Sequence, residues 1–254
     1  MITINCDIGE RGADHPVDVE LMRHIDIANI ACGGHAGDSA SIAAFRELAS
    51  ETGAEVAAHL SYPDRASFGR TSMAIGRAEL WDSLNDQYAV MADVRTVKFH
   101  GALYNDTARD EALADTIAEW LRTNGIRRIL APPVSRIAKV CWERGIDVLR
   151  EGFAERNYRY DVATRELRLV DRSCEHAVIS DSDIALEHSR RMIEDRVVLA
   201  YDGSDSHDPD ILTVGAEHRR RVPLSIDTLC IHSDSTIALD LAVKLKVLLH
   251  DLDS

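Results

Sequence analysis

Val97-Lys98-Phe99-His100-Gly101-Ala102-Leu103-Tyr104-Asn105 is the stretch on which the fold turns. Val97 and Phe99 alternate with Lys98 and His100, the period of a strand, so the apolar pair takes one face and the polar pair the other. A lysine enclosed in a sheet structure needs a partner, because a bare ammonium is expensive to bury; a carboxylate, a phosphate or a substrate carbonyl would serve. The bland alternative is an edge strand with Lys98 in water.

Outward from this stretch the chain repeats the same plan. Short apolar, β-branched-rich runs occur at 2–7, 25–31, 54–60, 96–100, 127–132, 147–151 and 227–232, each ending in polar or reactive residues. Helical periods fill most gaps, at 39–52, 77–93, 109–124, 134–144 and 235–252, and Gly53, Gly125 and Gly145 stand where a left-handed residue closes a helix. Strand, helix, strand implies parallel pairing, since the helix supplies the crossover. An open doubly wound sheet would satisfy that rule too. A closed α/β barrel of seven parallel strands is favoured because His59, Lys98, His100, Glu151 and His232 all fall at strand C-terminal ends far apart in sequence, and a barrel gathers such ends around one mouth. One domain over 1–254 is the simpler expectation. Residues 157–225 read as a lid or excursion holding a helix at 182–195, a strand at 196–201 and a polar stretch at 202–210.

Composition narrows the function classes. With 43 acidic against 29 basic residues the net charge is −14, so nucleic acid and anionic membranes are disfavoured partners and an anionic ligand needs a local cationic cluster. Five scattered cysteines without C-x-x-C suggest neither a disulfide framework nor a zinc knuckle, and no apolar run reaches bilayer-spanning length. A cytoplasmic location is expected.

Five further motifs carry candidate chemistry. In Asn5-Cys6-Asp7-Ile8-Gly9-Glu10 a strand ends, and Asp7 there is a base, a metal ligand or a cap. Gly33, Gly34 and Gly37 surround His35 just before a helix capped by Asp38 or Ser39. That turn either offers amides to an anion or is simply tight, and it matches neither common phosphate-loop pattern. His59 ends an apolar strand and precedes a long polar loop with Tyr62, Asp64 and Arg70. Glu151 is followed by the Glu155-Arg156 pair, which either orients a histidine, holds a substrate carboxylate or forms a surface ion pair. His232 shares a face with Cys230, and Asp234 stands where it caps the last helix. Singly these are modest signals; their recurrence at different strand ends indicates a site at one rim.

Taken in order, N-C-D-I-G-E, N-I-A-C-G-G-H-A-G-D, H-L-S-Y-P-D with F-G-R, K-F-H-G-A-L-Y-N, E-G-F-A-E-R and C-I-H-S-D resemble the LamB/YcsF family across essentially the whole chain. The resemblance implies a barrel of the glycoside hydrolase/deacetylase type and ATP-dependent opening of 5-oxoproline to glutamate with two partner subunits. By the same resemblance Asp7, His35, His59, Lys98, His100, Glu151, Arg156, His232 and Asp234 fall on motif positions. Leu60 and Phe99 stand where the family usually has proline, Glu155 replaces aspartate and Ser233 replaces glycine.

The mechanism this suggests has ATP, with Mg²⁺, phosphorylate the lactam oxygen before water attacks. Lys98 would neutralise phosphate, the Gly33–Gly37 turn would supply amides, His59 or His100 would be the general base, and Asp7 or Glu151 would orient that base or bind a metal. Two other readings stay open: a metal-dependent, deacetylase-like hydrolase of another amide, and a noncatalytic subunit that presents substrate.

Overall fold

The computed structural model describes residues 1–203 and 219–252. Its strands are β1 (Thr3–Ile8), β2 (Ile27–Ala31), β3 (Glu55–Leu60), β4 (Thr96–Phe99), β5 (Arg128–Ala131), β6 (Asp147–Phe153), β7 (Tyr158–Asp161), β8 (Glu166–Leu169), β9 (Val197–Asp202), β10 (Arg220–Pro223) and β11 (Thr228–His232). The helices are α1 (Pro16–Leu21), α2 (Ser39–Thr52), α3 (Arg77–Ala89), α4 (Gly101–Arg109), α5 (Glu111–Thr123), α6 (Arg136–Glu143), α7 (Ser182–Arg190) and α8 (Ala238–Leu252), with a π-helical turn at Arg191–Asp195 after α7. Among the described residues, β1 to β6 run consecutively around a closed parallel barrel that β11 completes by pairing with β6 and β1. These are the seven strands expected from the sequence.

Between β6 and β11 the chain builds a second sheet, ordered β10-β9-β7-β8, and then α7. This is the region that reads in sequence as a lid or excursion. Lys244 of α8 donates to Ser182 Oγ at 2.8 Å and to Asp183 Oδ1 at 2.6 Å, tying α7 to the neighbouring helix, so α7 serves as the crossover helix. The polar stretch expected at 202–210 lies, beyond Gly203, outside the described residues.

Local signals explain several boundaries. Asp38 accepts from the amides of Ala40 and Ser41 at 2.9 Å, its own amide donates to Ser41 Oγ, and Gly53 closes α2 at φ 80°. Two helices escape a reading by periodicity. Six-residue α1 is too short to show a period, and α4 starts directly at Gly101, whose φ of +54° lets the strand turn into a helix without a linker.

The barrel's outer face carries the apolar core. Ile4, Cys6, Ile8, Ile30, Leu60, Val97 and Phe99 pack with helix residues such as Phe45, Leu84, Trp120, Leu121 and Leu245. Fully burying a Leu or Phe side chain contributes ~1.5–3 kcal/mol, so this layer carries the stability and leaves the interior free for other duties. Inside, Ile27, Ala57 and Leu130 form a small apolar plug with Leu149. On the same strands and facing the same way, Asn29 follows Ile27, His59 follows Ala57 and Glu151 follows Leu149. Among the described residues no helix is long and apolar enough to cross a membrane.

Candidate active site

Strand register sets the first layer of the site. Asp7 stands level with Asn29 on one side and His232 on the other, while His59 pairs with Lys98. All point into the barrel because they share parity with Asn5 and Cys230. Lys98 Nζ donates to Asp7 Oδ1 at 2.8 Å, lies 3.0 Å from Glu151 Oε1, and reaches Asn5 Oδ1 at 3.3 Å and Cys230 Sγ at 3.1 Å. Asn29 donates to both Asn5 Oδ1 and Asp7 Oδ1, at 2.8 and 2.9 Å. Lys98 is 2% exposed and Glu151 1%, so this is a buried ion cluster in which two carboxylates offset one desolvated ammonium. Burial works against the charge on Asp7, yet His59 and Lys98 outweigh it and hold the carboxyl well below its ordinary value. Lys98 is likewise kept protonated: burial opposes its charge, but Asp7, Cys230 and Glu151 raise it well above the ordinary lysine value.

A second layer of three histidines and one glutamate lies beside it. His59 Nε2 stands 3.0 Å from His100 Nδ1, and Glu10 Oε1 lies 2.9 Å from His35 Nε2, 3.3 Å from His100 Nδ1 and 3.6 Å from His59 Nε2. Burial pushes His35 down to about 4 and lowers His100. His59 goes the other way: burial opposes its charge, but Asp7 and Glu10 raise it to about 9. Glu10, the last residue of the first motif, carries no signal of its own in the sequence. It sits beyond the strand end, and only Gly9, at φ +78°, turns it back over the mouth.

A cavity of about 1480 Å³ opens at this rim, lined by Asp7, Glu10, Lys98, His100, Glu151, His232 and Asp234 together with Arg70, Arg109, Arg136, Arg156, Arg168 and Arg172. In a chain of net charge −14, that concentration of arginine is the local cationic cluster an anionic ligand requires. Asp234 accepts from Arg70 at 3.3 Å and from Arg172 at 3.2 Å, joining the loop after β3 to the segment after β8. Its carboxylate thus bridges two arginines of the rim, where a helix cap was expected.

The imidazole best placed to act in this cavity is His232. Glu155, 1% exposed, accepts from the His232 amide at 2.9 Å and from its Nδ1, leaving Nε2 for a ligand. A ring nitrogen of His232 lies within 4.8 Å of an Asp7 oxygen and of Cys230 Sγ. Burial opposes the charge on Glu155, but His232 holds its carboxyl below the ordinary value. His59 and His100, the bases favoured from sequence, are committed elsewhere: His59 Nδ1 faces the Lys98 carbonyl at 3.2 Å and His100 Nε2 the Phe68 carbonyl at 3.0 Å.

Two groups of expected ligand contacts are taken up by the fold instead. Gly33, Gly34 and Gly37 do not line it. The Gly33 amide donates to Ala36 O at 2.8 Å, and an added Cβ would run into Gln87 Oε1 at Gly34 and into Ala31 O at Gly37. These glycines permit close packing, so the tight-turn alternative describes them. Arg156 does line the cavity, but its guanidinium donates to Ala177 O at 3.1 Å and Val170 O at 2.6 Å, which pins the second sheet's connections to the barrel. Burial and neighbouring Arg172 lower it to about 10.

Comparison with known proteins agrees with this architecture. The sequence model of the LamB/YcsF family matches residues 2–253. The 5-oxoprolinase A subunit of Streptomyces avermitilis is 34% identical over 257 aligned positions, covering 97% of this chain and 94% of the relative. That of Chloroflexus aggregans is 34% identical over 264 positions, covering 100% and 95%. Among solved structures, a lactam utilization protein from Thermus thermophilus superposes with a TM-score of 0.79 at 27% identity, covering 99% of this chain and 97% of that one. Full-length sequence agreement and the shared barrel place the chain in the LamB/YcsF family.

Proposed function

We propose that this chain is one component of an ATP-dependent 5-oxoprolinase, the counterpart of the A subunit in its relatives, which opens the lactam of 5-oxoproline to glutamate together with two partner subunits. The relatives' names supply the substrate, and the observation that carries the reading is the buried Lys98 ammonium held between Asp7 and Glu151 in the wall of an arginine-lined cavity. Amide resonance makes a lactam a poor electrophile. Phosphorylation of its oxygen by ATP, with Mg²⁺, removes that resonance and adds negative charge, which Lys98 is placed to balance in a low-dielectric setting.

His232 is the general base in this scheme. Glu155 fixes the tautomer with the proton on Nδ1, so Nε2 takes a proton from water as the oxygen adds to the activated carbon. The ring nitrogen then leaves with a proton, opening the ring, and a second water releases phosphate to complete glutamate. Asp7 keeps the ammonium oriented throughout. The experiment is glutamate release from 5-oxoproline by the purified chain mixed with its candidate partner subunits, with and without ATP and Mg²⁺. Release that needs both ATP and this chain is expected; its absence under every condition, with folded partners, overturns the reading.

A further inference from the structure

His59 and His100 each direct one ring nitrogen at a backbone carbonyl, Lys98 O at 3.2 Å and Phe68 O at 3.0 Å. A carbonyl only accepts, so those outer nitrogens carry the ring protons, and in the neutral tautomer the inner nitrogens present lone pairs. The inner pair, His59 Nε2 and His100 Nδ1, face each other at 3.0 Å. Glu10 Oε1 completes a triangle with sides of 3.3 Å to His100 and 3.6 Å to His59. Three acceptors converging in a nearly closed space repel one another unless a proton on His59, which Asp7 and Glu10 favour, or a metal cation in its place lies among them.

The triangle has the dimensions of a metal site. Ligands ~2.0–2.1 Å from a tetrahedral ion stand about 3.3–3.4 Å apart, inside the observed range. We propose that Glu10, His59 and His100 bind a divalent ion of the Zn²⁺ class, with a fourth position open towards Asp7 and the cavity. Asp7 Oδ2 lies 3.4 Å from His59 Nε2, and Asp7, Glu10 and His100 all line the cavity. Two imidazoles and one carboxylate with an open position suit Zn²⁺ or a neighbouring first-row ion over Mg²⁺ or Ca²⁺.

His35 belongs to the support around this site. Its ring stacks on His100 with centroids 3.7 Å apart and planes 3° from parallel. Lone pairs lie in the ring plane, so two parallel rings cannot both aim at one ion. His35 instead donates from Nε2 to Glu10 Oε1 at 2.9 Å and fixes the carboxylate. Each ligand side chain thus has an anchor of the kind that orients metal ligands: a carbonyl for each histidine and an imidazole for the glutamate. The inference concerns ion binding alone and stands apart from the 5-oxoprolinase reading.

The test uses the full chain without a histidine tag, stripped by chelator and titrated with Zn²⁺ against a chromophoric competitor, then with Co²⁺ monitored by visible absorption. One ion per chain and a low-symmetry Co²⁺ spectrum are expected. Glu10→Gln and His100→Ala should abolish stoichiometric binding, and His35→Phe should weaken it ~10–100-fold, the usual effect of losing an outer support. Cys230→Ser, which disables the other grouping of Asp7, Cys230 and His232, should leave binding intact. Failure of the unaltered, folded protein to bind either ion overturns the proposal. Binding that survives Glu10→Gln and His100→Ala, or is lost in Cys230→Ser, overturns it as well.

Discussion

One carboxylate oxygen of Glu155 accepts from both the backbone amide and Nδ1 of His232. The double contact fixes the ring's position and tautomer from a single buried anchor. With His232 as the base for water attack, His232→Ala should lower kcat ~10²–10⁴-fold while KM for 5-oxoproline changes little. Glu155→Gln keeps an acceptor but removes the charge, so its kcat should fall while KM for 5-oxoproline changes little. Glu155→Asp should recover part of the loss. Equal activity across all three variants in the reconstituted enzyme would remove His232 from the mechanism.

Lys98 is bound too tightly into the fold for its replacement to be silent in stability. Lys98→Met strands Asp7 and Glu151 as buried carboxylates, and breaking such a cluster costs about 3–5 kcal/mol. Turnover should be lost and Tm should drop by roughly 10 °C. The paired change Lys98→Met with Glu151→Gln should regain part of the Tm without regaining turnover. Calorimetry on both proteins separates the two effects.

Stability should also fall with acid through His188, which lies on α7 with its ring 5.9 Å from that of Tyr158. Burial, with Arg219 adding to it, lowers this imidazole from its ordinary 6.5 to about 4. Between those values the unfolded chain takes up a proton that the native protein refuses. The stability contribution is therefore complete above about pH 6.5 and lost as pH falls towards 4, with a slope of up to ~1.4 kcal/mol per pH unit. His188→Leu should lose this dependence. Urea titrations at about pH 8 and about pH 4.5 check it, and a constant difference between the two proteins would count against it.

The glycine turn around His35 should matter for packing and not for anion binding. Gly34→Ala drives a methyl into Ser61 Oγ, and Gly37→Ala adds strain at a φ of +81°. Each should destabilise by about 1–3 kcal/mol. KM for ATP, measured on the folded fraction of the reconstituted enzyme, should be unchanged; a selective rise would restore the anion-binding role.

Seven strands, most of the helices and the choice of inward-facing residues are legible in the chain alone, because period and strand-end polarity are local properties. The same signals place Asp7, Lys98, His100, Glu151 and His232 at one rim. Which of these groups meet is a property of the folded molecule. Asn5 donates to Thr228 across 223 positions of sequence, and Lys98 meets Cys230 across 132, contacts that exist only because the barrel closes. Glu10 became part of the site in the same way: it lies just past a strand end, where side-chain direction follows from the turn and not from the period, whereas Glu155 was legible as one of three alternatives and the fold chose the one in which it orients a histidine. Arg156 and the glycines went the other way, since a polar or flexible residue near a strand end has the same local signature whether it serves a ligand or a backbone carbonyl. Period fixes a face; closure of the ring fixes the partner.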